Sequence, residues 1–342
     1  MSGDAGGEQL LEGLVEHASL KAFTSFGVEA SAQYLIQVYE LAQLRQAIEF
    51  ARDNRLPCLV LGEGSNVLFV NDFPGIVLVM RLQGIVREGE LLRVAAGENW
   101  HRLVEWSLSQ ELFGLENLAL IPGTAGGAPI QNIGAYGVEL MRFVERVRVY
   151  DTQRAEERCF SAEECDFGYR DSVFKRAPRG RFVVLELELR LSDKDCPELG
   201  YGPLAAMFEG KPATARQVFD AVCALRRSKL PDPRLLGNAG SFFKNPIVSL
   251  AKVQSLRERW PELPSYPTED AELLKVPAAW LLETAGWKGA VRGQAAVHEA
   301  HALVLVNLGA ATGEELFLLA QEMSSSVLQR FGIALQPEVQ IL

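Results

Sequence analysis

The spacing of hydrophobic positions along the first 190 residues predicts strands interspersed with helices. Apolar residues recur at helical spacing over residues 41–54 and 99–110. Over residues 185–191, leucines alternate with charged residues, as in a strand with one buried face. Further strands are predicted from short apolar or alternating runs at residues 58–61, 76–82, 91–96 and 146–150. This mixture is an α+β pattern.

A polar segment rich in glycine and proline, residues 193–212, predicts the main domain boundary. Beyond it, the pattern predicts helices at residues 216–227, 278–285 and 314–330, a strand at 302–306 and a terminal strand. The chain is therefore divided into a poorly ordered or weakly helical lead-in at residues 1–20, a first domain at 21–195 and a second at 213–342.

Composition narrows the class of protein. A length of 342 residues is enough for two domains, and the net charge of −10 argues against a nucleic-acid surface. Five cysteines without a CxxC pair indicate neither a disulfide framework nor a zinc site. With no signal peptide and no apolar run near 20 residues, we expect a cytoplasmic protein without membrane insertion and without a metal.

Two glycine-rich segments are candidates for holding a phosphate-bearing cofactor. The first, residues 62–67, follows a predicted strand, where backbone N–H groups of a tight turn can face a phosphate. A Rossmann fingerprint is disfavoured, because Val67 takes the third glycine position, and a plain turn is an equal alternative. The second segment, residues 121–137, is again rich in glycine. Together they predict a cradle for an extended dinucleotide such as FAD, with Gly64 leaving room for the pyrophosphate.

Residues 237–246 place a serine directly after a glycine and before an apolar-polar alternation that proline ends. If this segment is extended, Ser241, Phe243 and Asn245 share one face, and Phe242 and Lys244 the other. A solvated hairpin is the simpler interpretation of these residues alone.

Four other positions stay ambiguous on local sequence alone. Arg170 and Glu338 are each most simply surface charges, and the basic cluster at residues 226–229 suits the end of a helix. The histidines at 298 and 301 lack the spacing of a zinc helix, so His301 is either a polar wall of a site or a packed residue.

The serine segment and both glycine segments resemble those of the UDP-N-acetylenolpyruvoylglucosamine reductases, and the matching motifs run over residues 24–339. The resemblance implies an N-terminal FAD-binding domain of the vanillyl-alcohol-oxidase type, followed by an α+β substrate-binding domain. Tyr266 matches the lid tyrosine of the longer subtype of that family. The implied cofactors are FAD and NADPH, and the implied partner is the small molecule UDP-N-acetyl-3-O-(1-carboxyvinyl)-glucosamine, bound by a monomer.

The same resemblance assigns roles to individual residues. It implies that Ser241 protonates C2 of the substrate while Arg170 and Glu338 stabilise the charge that develops on its carboxylate. The implied cofactor-binding residues are Gly62, Glu63, Gly64, Ser65, Asn66, Pro122, Gly123, Gly127, Gln131, Asn132 and Arg226. The implied substrate-binding residues are Tyr136, Tyr201, Lys229, Asn245, Tyr266 and His301.

The reaction implied is the NADPH-dependent reduction of the enolpyruvyl ether to UDP-N-acetylmuramate, in peptidoglycan precursor synthesis. Two alternatives remain at this point. One is another FAD oxidase of the same fold that acts on a sugar or phenol, which would consume oxygen without NADPH. The other is a non-enzymatic nucleotide-sugar binder, which would carry no flavin and show no yellow colour.

Overall fold

The computed structural model describes residues 11–342. The helices are α1 (Leu41–Asp53), α2 (Trp100–Ser109), α3 (Val173–Arg176), α4 (Gly202–Phe208), α5 (Ala215–Lys229), α6 (Leu250–Arg259), α7 (Ala278–Thr284) and α8 (Gly313–Phe331). The strands of the first half are β1 (Val15–Ser19), β2 (Ser31–Val38), β3 (Cys58–Leu61), β4 (Val67–Leu68), β5 (Phe73–Met80), β6 (Ile85–Glu88), β7 (Leu91–Ala95), β8 (Gly134–Ala135), β9 (Val138–Glu139), β10 (Val144–Asp151), β11 (Glu156–Ser161) and β12 (Phe182–Arg190). Those of the second half are β13 (Gly237–Ser241), β14 (Ile247–Ser249), β15 (Tyr266–Pro267), β16 (Leu273–Lys275), β17 (Val291–Arg292), β18 (Ala295–Val297), β19 (Val304–Asn307) and β20 (Gln340–Ile341).

Two hydrophobic cores lie on opposite faces of one small sheet, whose strand order is β1-β2-β5-β3. Strand β5 is apolar on both faces: Ile76 and Leu78 belong to the first core, whereas Val77 and Val79 belong to the second. The side-chain period of two explains this division. The continuous apolar run of β5 is therefore what a strand buried on both faces requires.

A second sheet, in the order β11-β10-β12-β7-β6, completes the first core. In β12, Leu185, Leu187 and Leu189 are buried in that core, while Arg190 is exposed. The alternation predicted here is confirmed. Mixed helices and strands around these sheets confirm the α+β class.

The lead-in prediction is wrong for the part of residues 1–20 that is described. Val15–Ser19 forms β1, which pairs antiparallel with β2. Only Ala18 of this edge strand is buried, so the sequence carries no apolar alternation to reveal it. Residues 1–10 lie outside the described part of the chain.

The change from the first core to the second falls later than the predicted boundary. Helix α5 follows the glycine- and proline-rich segment, yet Val218, Phe219 and Val222 pack in the first core. The second core takes over with Phe242, beyond the end of α5 at Lys229. The polar linker is where the sequence predicted the domain boundary, but the apolar face of α5, which follows the linker, still packs in the first core.

The C-terminal segment returns to the first half of the chain. Strand β20 pairs in parallel with β4, and the N–H of Gln340 donates to the carbonyl of Asn66 at 3.0 Å. Just before β20, Phe243 and Pro337 form an isolated bridge. The last residues thus connect the first glycine segment to the serine segment.

Candidate active site

Both glycine segments line one cavity. The first occupies the turn between β3 and β4, and the second follows α2. Of the predicted cofactor residues, those that line the cavity are Gly62, Glu63, Gly64, Ser65, Asn66, Pro122, Gly123, Gly127 and Gln131. Two loops distant in sequence therefore form one cradle, the arrangement that an extended dinucleotide requires.

The carboxylate of Glu63 holds these loops together. Its Oε2 accepts a hydrogen bond from the N–H of Gly123 at 3.0 Å, and its Oε1 accepts one from Nδ2 of Asn99 at 2.6 Å. A carboxylate also repels a phosphate. Glu63 therefore shapes the cradle, and backbone N–H groups of the turn remain the groups suited to a diphosphate.

The glycines of the cradle serve different purposes. Gly64 has a φ of +59°, and a Cβ there would lie 2.0 Å from the carbonyl oxygen of Phe23. Its role is therefore to admit neighbouring backbone, which corrects the expectation that it leaves room for a ligand. At Gly127 the nearest atom to a Cβ would be the Thr124 carbonyl oxygen at 3.5 Å, so the chain leaves this position free. An open cradle at Gly127 fits a bound FAD.

Asn132 does not line the cavity, contrary to the prediction. It is fully buried, and its Nδ2 donates to Oε2 of Glu139 at 2.9 Å and to the carbonyl of Gly168 at 3.1 Å. Its Oδ1 accepts the N–H of Met141. These three hydrogen bonds use the side chain of Asn132 to support the loop.

Arg170 and Glu338 form an ion pair beside the cavity. Nε of Arg170 lies 2.9 Å from Oε1 of Glu338, and the two side chains are only 18% and 15% exposed. Nη2 of Arg170 also donates to the carbonyl of Gly134 at 2.7 Å, and Nη1 to that of Asn132 at 3.4 Å. Three of its five N–H groups are thus used, which leaves two for a ligand.

Backbone pairing brings the serine segment to this ion pair. The N–H of Glu338 donates to the carbonyl of Phe242 at 2.8 Å, directly after Ser241. The predicted alternation is wrong here: Phe242 and Phe243 are both buried in the second core with ring centroids 5.2 Å apart, so they do not lie on opposite faces. A register shift between Asn238 and Ser241 also disturbs the strand just before this segment.

Tyr169 is a site residue that the sequence did not single out. Its ring lies 5.5 Å from the Arg170 guanidinium carbon and 4.7 Å from Nζ of Lys275. Burial raises the pKa of its phenol, which also shares a hydrogen bond with Asn245. Its position directly before Arg170 was the one feature of the sequence that could have indicated it.

Tyr136 and Tyr201 meet edge to face, with ring centroids 5.5 Å apart. Burial raises the pKa of both phenols, and the charge of Arg226 lies close to Tyr136. The fully buried Asn117 fixes both loops, because its Nδ2 donates to the carbonyls of Tyr136 and Glu198, each at 2.9 Å. The structure thus brings together two tyrosines predicted to bind substrate.

Arg226 lies beside this tyrosine pair, and it is not among the residues that line the glycine cavity. Its Nε donates to the carbonyl of Leu120 at 3.2 Å. Burial lowers the pKa of its guanidinium, and Arg170 lies near enough to lower it further. Its predicted contact with the cofactor stays a prediction.

The remaining predicted substrate residues lie on the second half of the chain. Burial lowers the pKa of His301, whose neighbouring charges include Glu283 and Lys229. Asn245 caps α7 through its Oδ1, which accepts the N–H of Ala278 at 3.0 Å. Tyr266 is 55% exposed on the small sheet β14-β16-β15, where it pairs with Lys275.

Residues 11–342 offer neither a metal-binding cluster nor a membrane-spanning helix. Within them, no three His, Cys, Asp or Glu side chains gather as a metal site would require. Over the same residues, no helix combines the length and apolarity needed to cross a membrane.

The class of protein follows from the fold, the cradle and a family match. Residues 32–156 match the FAD binding domain family, the region that contains both glycine loops. The chain is therefore a flavin-dependent oxidoreductase with an FAD-binding domain in its first half.

Residues 232–342 match a second family, the C-terminal domain of UDP-N-acetylenolpyruvoylglucosamine reductase. A reductase of that name from Pasteurella multocida is 47% identical over 95% of this chain and 96% of its own length. One from Pseudomonas aeruginosa is 46% identical over 95% and 98%. The crystal structure of the reductase from Thermus caldophilus has a TM-score of 0.68 at 25% identity and covers 96% of this chain and 97% of its own. The chain belongs to the UDP-N-acetylenolpyruvoylglucosamine reductase family, which confirms the resemblance.

Proposed function

We propose that this protein uses NADPH and bound FAD to reduce UDP-N-acetyl-3-O-(1-carboxyvinyl)-glucosamine to UDP-N-acetylmuramate in peptidoglycan precursor synthesis. The observation that carries the proposal is the Arg170–Glu338 pair at 2.9 Å. It joins a residue beside the flavin cradle to one on the C-terminal segment. Such a pair provides a carboxylate-binding cation next to the cofactor, which an enolpyruvyl substrate needs.

Bound FAD would supply the hydride chemistry of the reaction, which leads from NADPH to C3 of the enol ether. The turn at residues 62–66 has no cationic side chain. Its backbone N–H groups would therefore hold the diphosphate. Gln131 and Asn66 hydrogen-bond each other at 2.9 Å and form the polar wall of the cradle. Orientation and charge are what the protein contributes to this chemistry.

Arg170 stabilises the negative charge that spreads into the substrate carboxylate as hydride arrives at C3. Its two remaining N–H groups face this charge, and preorganised donors in a sheltered site lower the barrier most. Glu338 in its ionised form cannot stabilise negative charge itself. It holds the guanidinium through Nε, which refines the role implied by sequence.

Ser241 completes the reaction by donating its hydroxyl proton to C2. The O–H bond breaks, the C2–H bond forms, and solvent then restores the proton to the serine oxygen. A serine is a weak acid, but the carbanion that it protonates is a strong base, so the transfer is downhill. Gly240, with a φ of +68° and no atom within 4 Å of a Cβ position, leaves space beside the hydroxyl.

The nucleotide-sugar part of the substrate binds through residues of both halves. Tyr136 and Tyr201 offer aromatic surface and hydroxyls, and Lys229 offers a cation to the diphosphate. Asn245, Tyr266 and His301 complete this set. Because one chain supplies every residue invoked, we propose that the protein acts as a monomer. We also propose that it acts in the cytoplasm.

The test is turnover of the purified protein under controlled oxygen. We expect a yellow protein that oxidises NADPH only when the enolpyruvyl substrate is present, with a product two hydrogens heavier. Oxygen consumption in the absence of NADPH would indicate an oxidase instead. A colourless protein that cannot be loaded with FAD would contradict the proposal.

A further inference from the structure

Lys175 places a positive charge at the flavin cradle. It lies on α3, five residues after Arg170, and lines the same cavity as Gln131 and Asn66. Among the described residues that line this cavity, it is the only lysine or arginine. The electrostatics of any bound group at this wall therefore depend strongly on Lys175.

The ammonium is held in place by both neighbouring segments. Its Nζ donates to the carbonyl of Arg170 at 3.1 Å. The hydroxyl of Ser172, which caps α3, donates to the carbonyl of Ile130 at 2.6 Å and so ties the helix to the second glycine segment. A charge fixed in this way needs little reorganisation when the charge of its ligand changes.

The surroundings of Lys175 leave its charge poorly compensated. Burial lowers the pKa of its ammonium, and the cations of Lys244 and Arg170 lower it further. The carboxylates of Glu338 and Asp171 act in the opposite direction. Glu338 is already paired with Arg170. A partly buried cation in this state is stabilised when an adjacent group gains negative charge.

We propose that the ammonium of Lys175 faces the flavin ring and stabilises the negative charge that the ring gains on reduction, which raises the midpoint potential. The inference rests on the proposed function, since it requires FAD in this cradle. The ring is favoured over the diphosphate because the Lys175 ammonium contacts the backbone of Arg170, the residue assigned to the substrate carboxylate.

The experiment is a potentiometric titration of the purified flavoprotein without substrate. Lys175→Met should lower the equilibrium constant for two-electron reduction at least tenfold, which corresponds to a potential about 30 mV lower. Lys175→Arg should keep most of the wild-type potential, because it retains the charge. Lys244→Met is the matched control: it removes a neighbouring cation that does not line the cavity, and its shift should be less than threefold.

The outcomes separate the possible roles. A weaker affinity for FAD with an unchanged potential would assign Lys175 to the diphosphate and overturn the proposal. A raised KM for the sugar nucleotide alone would assign it to substrate and also overturn it. If Lys175→Met does not fold, as judged by circular dichroism, Lys175→Gln takes its place. A wild-type protein without flavin would contradict the proposed function, whereas an unmoved potential in a flavinated variant contradicts only the role of Lys175.

Discussion

Removing either partner of the Arg170–Glu338 pair should destabilise the protein more than removing both. In Glu338→Gln the Arg170 guanidinium keeps its charge but loses its counterion, in a position where its side chain is only 18% exposed. In Arg170→Met the carboxylate is left without its cation. The double variant leaves no unpaired charge, so part of the loss should be recovered.

The size of this coupling follows from the geometry. At 2.9 Å and an effective dielectric constant of about 20, the gross Coulomb attraction is roughly 6 kcal/mol. The cycle cancels the desolvation of each charge, but solvent reaches both side chains and screens the pair, so this gross value is an upper bound. We therefore expect a net coupling free energy of about 2 kcal/mol, above the roughly 0.2–1 kcal/mol of exposed pairs.

A double-mutant cycle measured by urea unfolding of the FAD-saturated protein tests this value. Arg292–Glu322 is the matched control, because its Nε–Oε2 distance is 3.0 Å but its side chains are 53% and 51% exposed. The control cycle should give less than about 1 kcal/mol. Equal coupling in the two cycles would refute the claim that burial makes the Arg170–Glu338 pair special.

Two other substitutions test the cradle and the histidine. Gly127→Leu should give a folded protein with strongly weakened FAD binding, because a Cβ there meets only ordinary van der Waals contacts of the chain and would enter the cradle. Gly202→Leu is the control: this glycine is exposed, has no atom within 4 Å of a Cβ and does not line the cradle, so the variant should bind FAD normally in the same fluorescence titration. Retained binding in Gly127→Leu would place the cofactor elsewhere. Burial lowers the pKa of His301 below its ordinary value of 6.5, so the unfolded chain binds more protons than the folded one. The stability that comes from neutral His301 is therefore complete above pH 6.5 and is lost as the pH falls. His301→Gln should flatten the stability profile between about pH 6.5 and 5 in urea unfolding, and an unchanged slope would show that His301 does not cause the loss.

Local patterns predicted elements well where burial follows chain periodicity. The α1 helix and the β12 strand are examples, because each presents one regular apolar face. The same logic fails for β1, whose residues are mostly exposed. It predicted α5 correctly as a helix, but not that the apolar face of this helix packs in the first core. Periodicity reports that a face is buried, but not against which partner.

The candidate site shows a similar limit. Glycine content indicated both loops of the cradle, but it could not separate Gly64, where a Cβ would clash with the Phe23 backbone, from Gly127, where a Cβ would meet only ordinary contacts. The family resemblance assigned Asn132 to the cofactor, whereas its buried side chain is hydrogen-bonded to Glu139 and to the carbonyl of Gly168. Lys175 carries no motif, and only the tertiary fold brings it to the cavity.

Separate measurement of the two half-reactions of Ser241→Ala tests the central claim most directly. Stopped-flow absorbance follows reduction of the bound FAD by NADPH, and then its reoxidation by the enolpyruvyl substrate. The first step needs no proton on carbon, so the account predicts a wild-type rate. The second should fall by ~10²–10⁴-fold, with partial recovery in Ser241→Cys, because a general acid has been lost. Equal slowing of both steps, or an unchanged second step, would contradict the account.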